Sequence, residues 1–80
     1  MNDDDIRQSI DRLVAEEREL RTQHQLEPLE EEGEARLRQI EEALDQCWDL
    51  LRQRRAKREF GLDPDDVEVR ETSVVERYRQ

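Results

Sequence analysis

Apolar residues in this chain return every third or fourth position, and most of the positions between them are charged. That spacing puts one apolar stripe along an α-helix, whereas a half-buried strand would need strict alternation. The constraint is severe because apolar residues are scarce. Charged residues make up 46% of the 80 positions, and Leu, Ile, Val and Phe together fill 18 of them. A chain this short and this charged lies close to the composition at which disorder prevails. Two escapes are open: a helical form that needs few apolar residues per turn, or a core shared with another chain. The patterning points to both, within an all-α fold.

In the first segment Ile6, Ile10, Leu13, Val14 and Leu20 recur at helical spacing. They cover an arc of roughly 120° on a helix spanning residues 3–24. Asp3, Asp4 and Asp5 stand where acids cap a first turn and suit its dipole. The second segment carries Leu37, Ile40, Ala43, Leu44, Cys47, Trp48, Leu50 and Leu51. Pro28, followed by Glu30, Glu31 and Glu32, reads as a helix start, although Gly33 weakens the opening turn. Arg54, Arg55, Lys57 and Arg58 load the last turns with cations, and Gly61 supplies a stop with Leu62 folding back on it. A helix over 28–60 is about 50 Å long, and its apolar arc of roughly 160° is wide enough for two neighbours.

The connection Gln25-Leu26-Glu27-Pro28-Leu29-Glu30 is short, so the helices run antiparallel as a coiled-coil-like hairpin over residues 1–61. A register in which facing residue numbers sum to about 57 layers Leu20 on Leu37, Leu13 on Leu44, Ile10 on Cys47 and Ile6 on Leu51. It also sets Asp3 and Asp5 beside Arg54 and Arg52, so apolar layers and charges agree. Residues 62–80 form a C-terminal tail. Asp63-Pro64 begins a turn, Val67-Glu68-Val69-Arg70 alternates like an extended segment, and Ser73-Val74-Val75-Glu76 matches a capping box ahead of Tyr78. This tail either docks, with Val69, Val74, Val75 and Tyr78 covering apolar surface, or stays disordered.

Several residues invite a functional reading. The run Arg52-Gln53-Arg54-Arg55-Ala56-Lys57-Arg58 is a compact basic patch, but it has no interleaved aromatics and sits in a chain of net charge −9. Such a surface repels phosphate backbones and anionic lipid heads, and a helix end neutralising its own dipole explains the run more simply. Glu17 and His24 interrupt the apolar seam of the first helix, where a polar residue sets register or oligomeric state at a cost in stability. A di-iron centre would need Glu-x-x-His, and the residue three before the one histidine is Arg21. Cys47 has no second cysteine for a disulfide and no histidine near it to act as base, so it reads as a small core residue. Trp48 stands at the edge of the wide arc, a good anchor for a second surface. The acidic tip, Glu27 to Glu34, resembles the finger of hairpins that probe a polymerase channel, but glutamates at a helix start are usually solvated. Gly-rich phosphate loops and paired metal-ligand spacings are absent from the sequence. No cofactor is expected.

The stretch Leu44-Asp45-Gln46-Cys47-Trp48-Asp49-Leu50-Leu51-Arg52-Gln53-Arg54-Arg55-Ala56-Lys57-Arg58 resembles a family of short actinobacterial proteins, domain of unknown function 2630. The likeness extends to Leu13-Val14-Ala15-Glu16-Glu17, to Asp63-Pro64-Asp65 and to Val75-Glu76. Such relatives often carry a histidine after the glutamate pair, where this chain has Arg18, which weakens the metal reading further. The resemblance implies lineage and size and brings no activity with it.

The expectation is a hairpin that dimerises through the Trp48 side into a four-helix bundle and acts as a protein–protein interaction or structural module without catalysis. The interface would comprise the apolar residues of both helices, from Ile6 to Leu20 and from Leu37 to Leu51. The alternative is a nucleic-acid- or RNA-polymerase-associated factor using the basic helix end or the acidic tip. An acidic amino terminus, a single cysteine and no long apolar run lead to the expectation of a cytosolic protein without a membrane span.

Overall fold

The computed structural model describes residues 2–70. Two helices form an antiparallel hairpin: α1, Asp3–Leu26, and α2, Glu31–Glu59. No strand occurs among the described residues. The extents, 50 × 25 × 17 Å, describe a single layer. Its thinnest dimension is only about one and a half helix diameters, so among the described residues no third helix lies on the pair.

The start of α1 is capped by Asn2 rather than by the aspartates. The Asn2 side chain accepts the Asp5 backbone N–H at 2.8 Å, and the Asp5 carboxylate accepts the Asn2 N–H at 3.3 Å. This reciprocal pair satisfies two donors that a helix start leaves open. It also takes Asp5 away from Arg52, the partner that the register suggests. Arg52 instead approaches Asp49 on its own helix, at 3.6 Å.

The helix ends differ from the sequence reading at the connection. α1 continues to Leu26, with the Glu27 N–H still bonded to the Gln23 carbonyl at 2.9 Å. α2 begins at Glu31 and not at Pro28, because the chain needs extended residues to reverse direction: Glu27 and Glu30 have ψ of 149° and 166°. Leu29 then folds over the first turn of α2. A Cβ on Gly33 would stand 3.3 Å from two Leu29 carbons, so glycine gives that close approach its room.

The core sits toward the open end of the hairpin. Ile6, Ile10 and Leu50 are buried together, with Val14, Leu44, Cys47, Leu51 and Val67 packed against them. Ile40 is fully buried nearer the tip. Leu13, Leu20 and Leu37 are half-buried. Leu50, which the helical wheel leaves at the flank, becomes core because the chain after α2 comes back and lays Val67 on the cluster. Across the hairpin the Arg36 guanidinium forms three hydrogen bonds to Glu16, at 2.6, 3.1 and 3.2 Å, and Arg21 meets Glu41 at 3.0 Å. These pairs are half-exposed and screened by water, so they tune the register that the apolar layers set.

Gly61 ends α2 with φ of 70°. Its N–H bonds to the Arg58 carbonyl at 3.1 Å and the Leu62 N–H to the Lys57 carbonyl at 2.7 Å, the two bonds of a Schellman motif. The Leu62 side chain nevertheless remains 55% exposed. Asp63 closes the next turn, accepting the Asp65 N–H on its carboxylate at 2.9 Å and the Asp66 N–H on its carbonyl at 3.1 Å. Residues 67–70 then run back along α2 as a strap. The Ser73–Glu76 capping box, Val74, Val75 and Tyr78 lie outside the described residues. Gly61→Ala is expected to lower the unfolding free energy by about 1 kcal/mol in urea titrations, because alanine resists a positive φ.

Candidate functional site

Two flanks of α2 border the seam with α1, and they differ in what covers them. On one flank the strap is held by side chains of α2. The Gln53 side-chain amide pairs with Glu68 as a neighbouring strand would, donating to its carbonyl at 2.7 Å and accepting its N–H at 3.4 Å. The same amide donates to Asp49 at 2.9 Å. Gln46 donates to the Arg70 carbonyl at 3.3 Å, and Arg70 Nε stands 3.5 Å from Asp49. Asp49 is thereby buried to 2% exposure with cationic and amide donors around it, the condition under which a buried carboxylate is tolerated. Val67 supplies the apolar contact of the strap, while Val69 points outward at 63% exposure.

Arg54 ties the strap to both helices. It is buried to 5% exposure. Its Nε donates to Asp3 at the start of α1, and its Nη1 donates to Asp65 at 2.7 Å and to the Pro64 carbonyl at 3.0 Å. Arg58 reaches the other oxygen of Asp3 at 3.0 Å. Hydrogen bonds from Arg54 and then Arg58 hold the Asp3 carboxyl below the usual carboxylate range, and the Arg54 bond does the same for Asp65. Those bonds to Asp65 and Asp3 in turn raise the Arg54 guanidinium.

The other flank carries Trp48. Successive residues advance by about 100°, so Trp48 stands roughly 100° round from Asp49 and roughly 140° from Gln53. It is 50% exposed, beside half-buried Leu44 and Leu51. An open groove of about 540 Å³ runs past it, bordered by Glu17, Arg21, Arg38, Glu41 and Leu44. The sequence treats this edge as a site for either the tail or a partner; as far as Arg70, the tail takes the opposite flank.

The other singled-out residues fall as follows. In the basic run, Arg52 approaches Asp49, Arg54 binds Asp3 and Asp65, Arg55 binds Glu59 at 3.1 Å, Lys57 stands 3.7 Å from Asp66, and Arg58 binds Asp3. Every cation of the run therefore has a carboxylate of the same chain beside it, and the patch is largely neutralised. Glu17 is half-buried and lies 3.7 Å from Arg21. His24 is exposed, and its Nδ1 accepts the Leu29 N–H at 3.3 Å, so it braces the connection rather than the seam. Cys47 packs against the core, where burial pushes its thiol up from 9.0 and keeps it protonated near neutral pH. Among the described residues no group of three or more His, Cys, Asp or Glu side chains is placed to hold a metal ion. No helix among them is long and apolar enough to cross a membrane.

Sequence reasoning missed Gln46, Asp49, Gln53 and Asp65. Three of them stand at helical spacing on one face, but polar residues in that pattern ordinarily mark a solvated face. Nothing local announces that a later segment will lie on them.

The likeness to known proteins covers the chain from α1 through the strap. The family model described as "Protein of unknown function (DUF2630)" matches residues 2–80. The chain belongs to the DUF2630 family. Among its relatives are uncharacterized proteins of Mycobacterium bovis and Mycobacterium tuberculosis. Each is 54% identical over 67 residues, covering 82% of this chain and 77% of the relative. No solved structure matches the chain. For this DUF2630 member the two flanks are the features from which function has to be argued.

Two outcomes are expected. Arg54→Met leaves the strap without its bond to α2 at Asp65 and Pro64, so limited proteolysis should cut within 62–70 faster than in the native chain. Arg55→Met, which removes an exposed pair, should not change the cleavage. The second outcome concerns pH. Because the Asp65 carboxyl is lowered from 3.8, its ion pair stabilises the fold above that value and is lost as pH falls through the depressed one. The difference in melting temperature between the native chain and Asp65→Asn should be full at pH 7 and close as pH drops below about 4.

Proposed function

We propose that this protein is a helix-pairing module that works by assembly and not by catalysis, joining a second copy through the Trp48 flank into a four-helix bundle in the cytosol. The observation that carries this reading is Trp48 itself. Half of the largest apolar side chain in the protein stands in water, on the flank that the strap leaves bare.

Energetics support the reading. Among the described residues only Ile6, Ile10, Ile40 and Leu50 are buried apolar side chains. At about 1.5–3 kcal/mol each they offset little of the entropy lost in ordering two long helices. Covering the exposed half of one tryptophan removes about 100 Å² from water, about 2–3 kcal/mol per protomer. A two-fold assembly doubles that gain and brings Leu37, Leu44 and Leu51 further out of water. The neutralised basic run gives no comparable support to a nucleic-acid role.

Light scattering at low micromolar concentration should give a dimer with or without reductant, since Cys47 is packed in the core. Trp48→Ala should weaken dimerisation by about a hundredfold or more, while Glu31→Ala leaves it unchanged. A native chain that stays monomeric at tens of micromolar, or equal effects of the two substitutions, would overturn the reading.

A further inference from the structure

α2 carries a second seam. Leu37, Glu41, Leu44, Trp48, Leu51 and Arg55 follow one another at spacings of four, three, four, three and four, the rhythm of a coiled-coil stripe. This stripe runs one residue out of phase with the one that faces α1 most directly, Ile40, Cys47, Leu50 and Arg54; Leu44 and Leu51, half-buried against the α1 core, lie where the two stripes meet, and Trp48 stands on the outer side. A helix with two stripes side by side is built to touch two helices, and the hairpin supplies one of them.

Charge along the second stripe is polarised. Glu41 lies seven residues before Trp48 and Arg55 seven residues after it, each about 10 Å from the tryptophan along the axis. Glu34, one heptad earlier, extends the acidic end. Glu41 and Arg55 are exposed, at 49% and 78% of their side chains, and their present partners, Arg21 and Glu59, are exposed as well. Solvent-exposed pairs of this kind are weak, so either residue can exchange its partner at small cost. Two copies laid parallel along this stripe would set Glu41 against Glu41 and Arg55 against Arg55. Laid antiparallel about an axis at Trp48, they set Glu41 of each copy against Arg55 of the other, and the helix dipoles oppose favourably. In a chain of net charge −9, where two copies repel at a distance, the arrangement of the few contact charges decides the orientation.

We infer that the occupant of the Trp48 flank is a second copy of this chain with its α2 antiparallel to the first, related by a two-fold axis at Trp48 and oriented by reciprocal Glu41–Arg55 ion pairs. This inference rests on the self-pairing proposed above and adds its orientation and its specificity.

Charge exchange tests it. Glu41→Arg and Arg55→Glu, each alone, turn two attractions into two repulsions and should weaken self-association about tenfold or more. An equimolar mixture of the two variants should regain native-like dimers, because each mixed pair has one Arg–Arg′ pair replaced by Arg–Glu and the other contact left native. A spin label at residue 34, introduced as Glu34→Cys with Cys47→Ala, gives a second reading that needs neither charge variant to fold. The two labels should lie about 40 Å apart in the antiparallel dimer, and under 20 Å in a parallel one. A dimer with the short distance, or a mixture that associates no better than its components, overturns the orientation and leaves the pairing standing. A native chain that is monomeric in light scattering overturns the pairing itself.

Discussion

Arg54 is the junction through which the parts of this protein are held in relation to one another. Its guanidinium is nearly buried and reaches Asp3 at the start of α1, Asp65 after the turn and the carbonyl of Pro64. One side chain thus joins the first turn of the first helix, the last turns of the second and the segment that follows. A buried cation is costly unless every donor finds an acceptor, and the planar fork of arginine suits several acceptors at once. Lysine has the charge but not that geometry. With the open end of the hairpin held in this way, Ile6, Ile10 and Leu50 stay together and Val67 reaches them.

The strap gives the broad apolar arc of α2 its division of labour. A helix with an arc this wide needs cover on both sides of its main contact. Here the two sides are treated differently: one receives backbone from residues 67–70, held through Gln46, Gln53 and Asp49, and the other keeps Trp48 half in water. The strap makes no strand, yet Gln53 offers it the donor and acceptor that a strand edge would. That arrangement satisfies backbone groups of an extended segment on the surface of a helix, which has no such groups of its own to spare. As far as Arg70, the flank left open and the flank covered are therefore consequences of one choice, the side to which the chain turns after Gly61.

Much of the hairpin was legible because its causes are local or periodic. Helical spacing, the short connection, the glycine stop and the meeting of Asp3 with Arg54 all follow from spacing along the chain. The misreadings have equally physical sources. Asn2 caps α1 because its side chain reaches the Asp5 N–H, while the aspartates that looked like caps fill the first turn behind it. α2 starts late because a reversal needs extended residues, whatever the helix signal of Pro28. His24 lies on the wheel with the seam, but the seam ends before it and its ring turns to the Leu29 N–H. The basic run reads as a neutralised helix end, and Asp3 does meet Arg54 and Arg58; its further partners Asp65 and Asp66 were not legible because they lie on the far side of a turn.

By itself, then, the sequence determined the element types, their antiparallel order and an apolar arc on α2 too broad for a single neighbour, since each depends on residue spacing within a helix or on a short connection. Membership of the DUF2630 family was legible in the same stretch, from Leu44 to Arg58. Tertiary structure alone decided which side of that arc residues 67–70 cover. The decision rests on contacts between Gln53 and Glu68, Arg54 and Asp65, and Val67 and the core, made after a turn whose direction is set by a positive φ at Gly61. No periodicity encodes such contacts, because the strap is extended and the helix beneath it is not, so their residue spacings do not match.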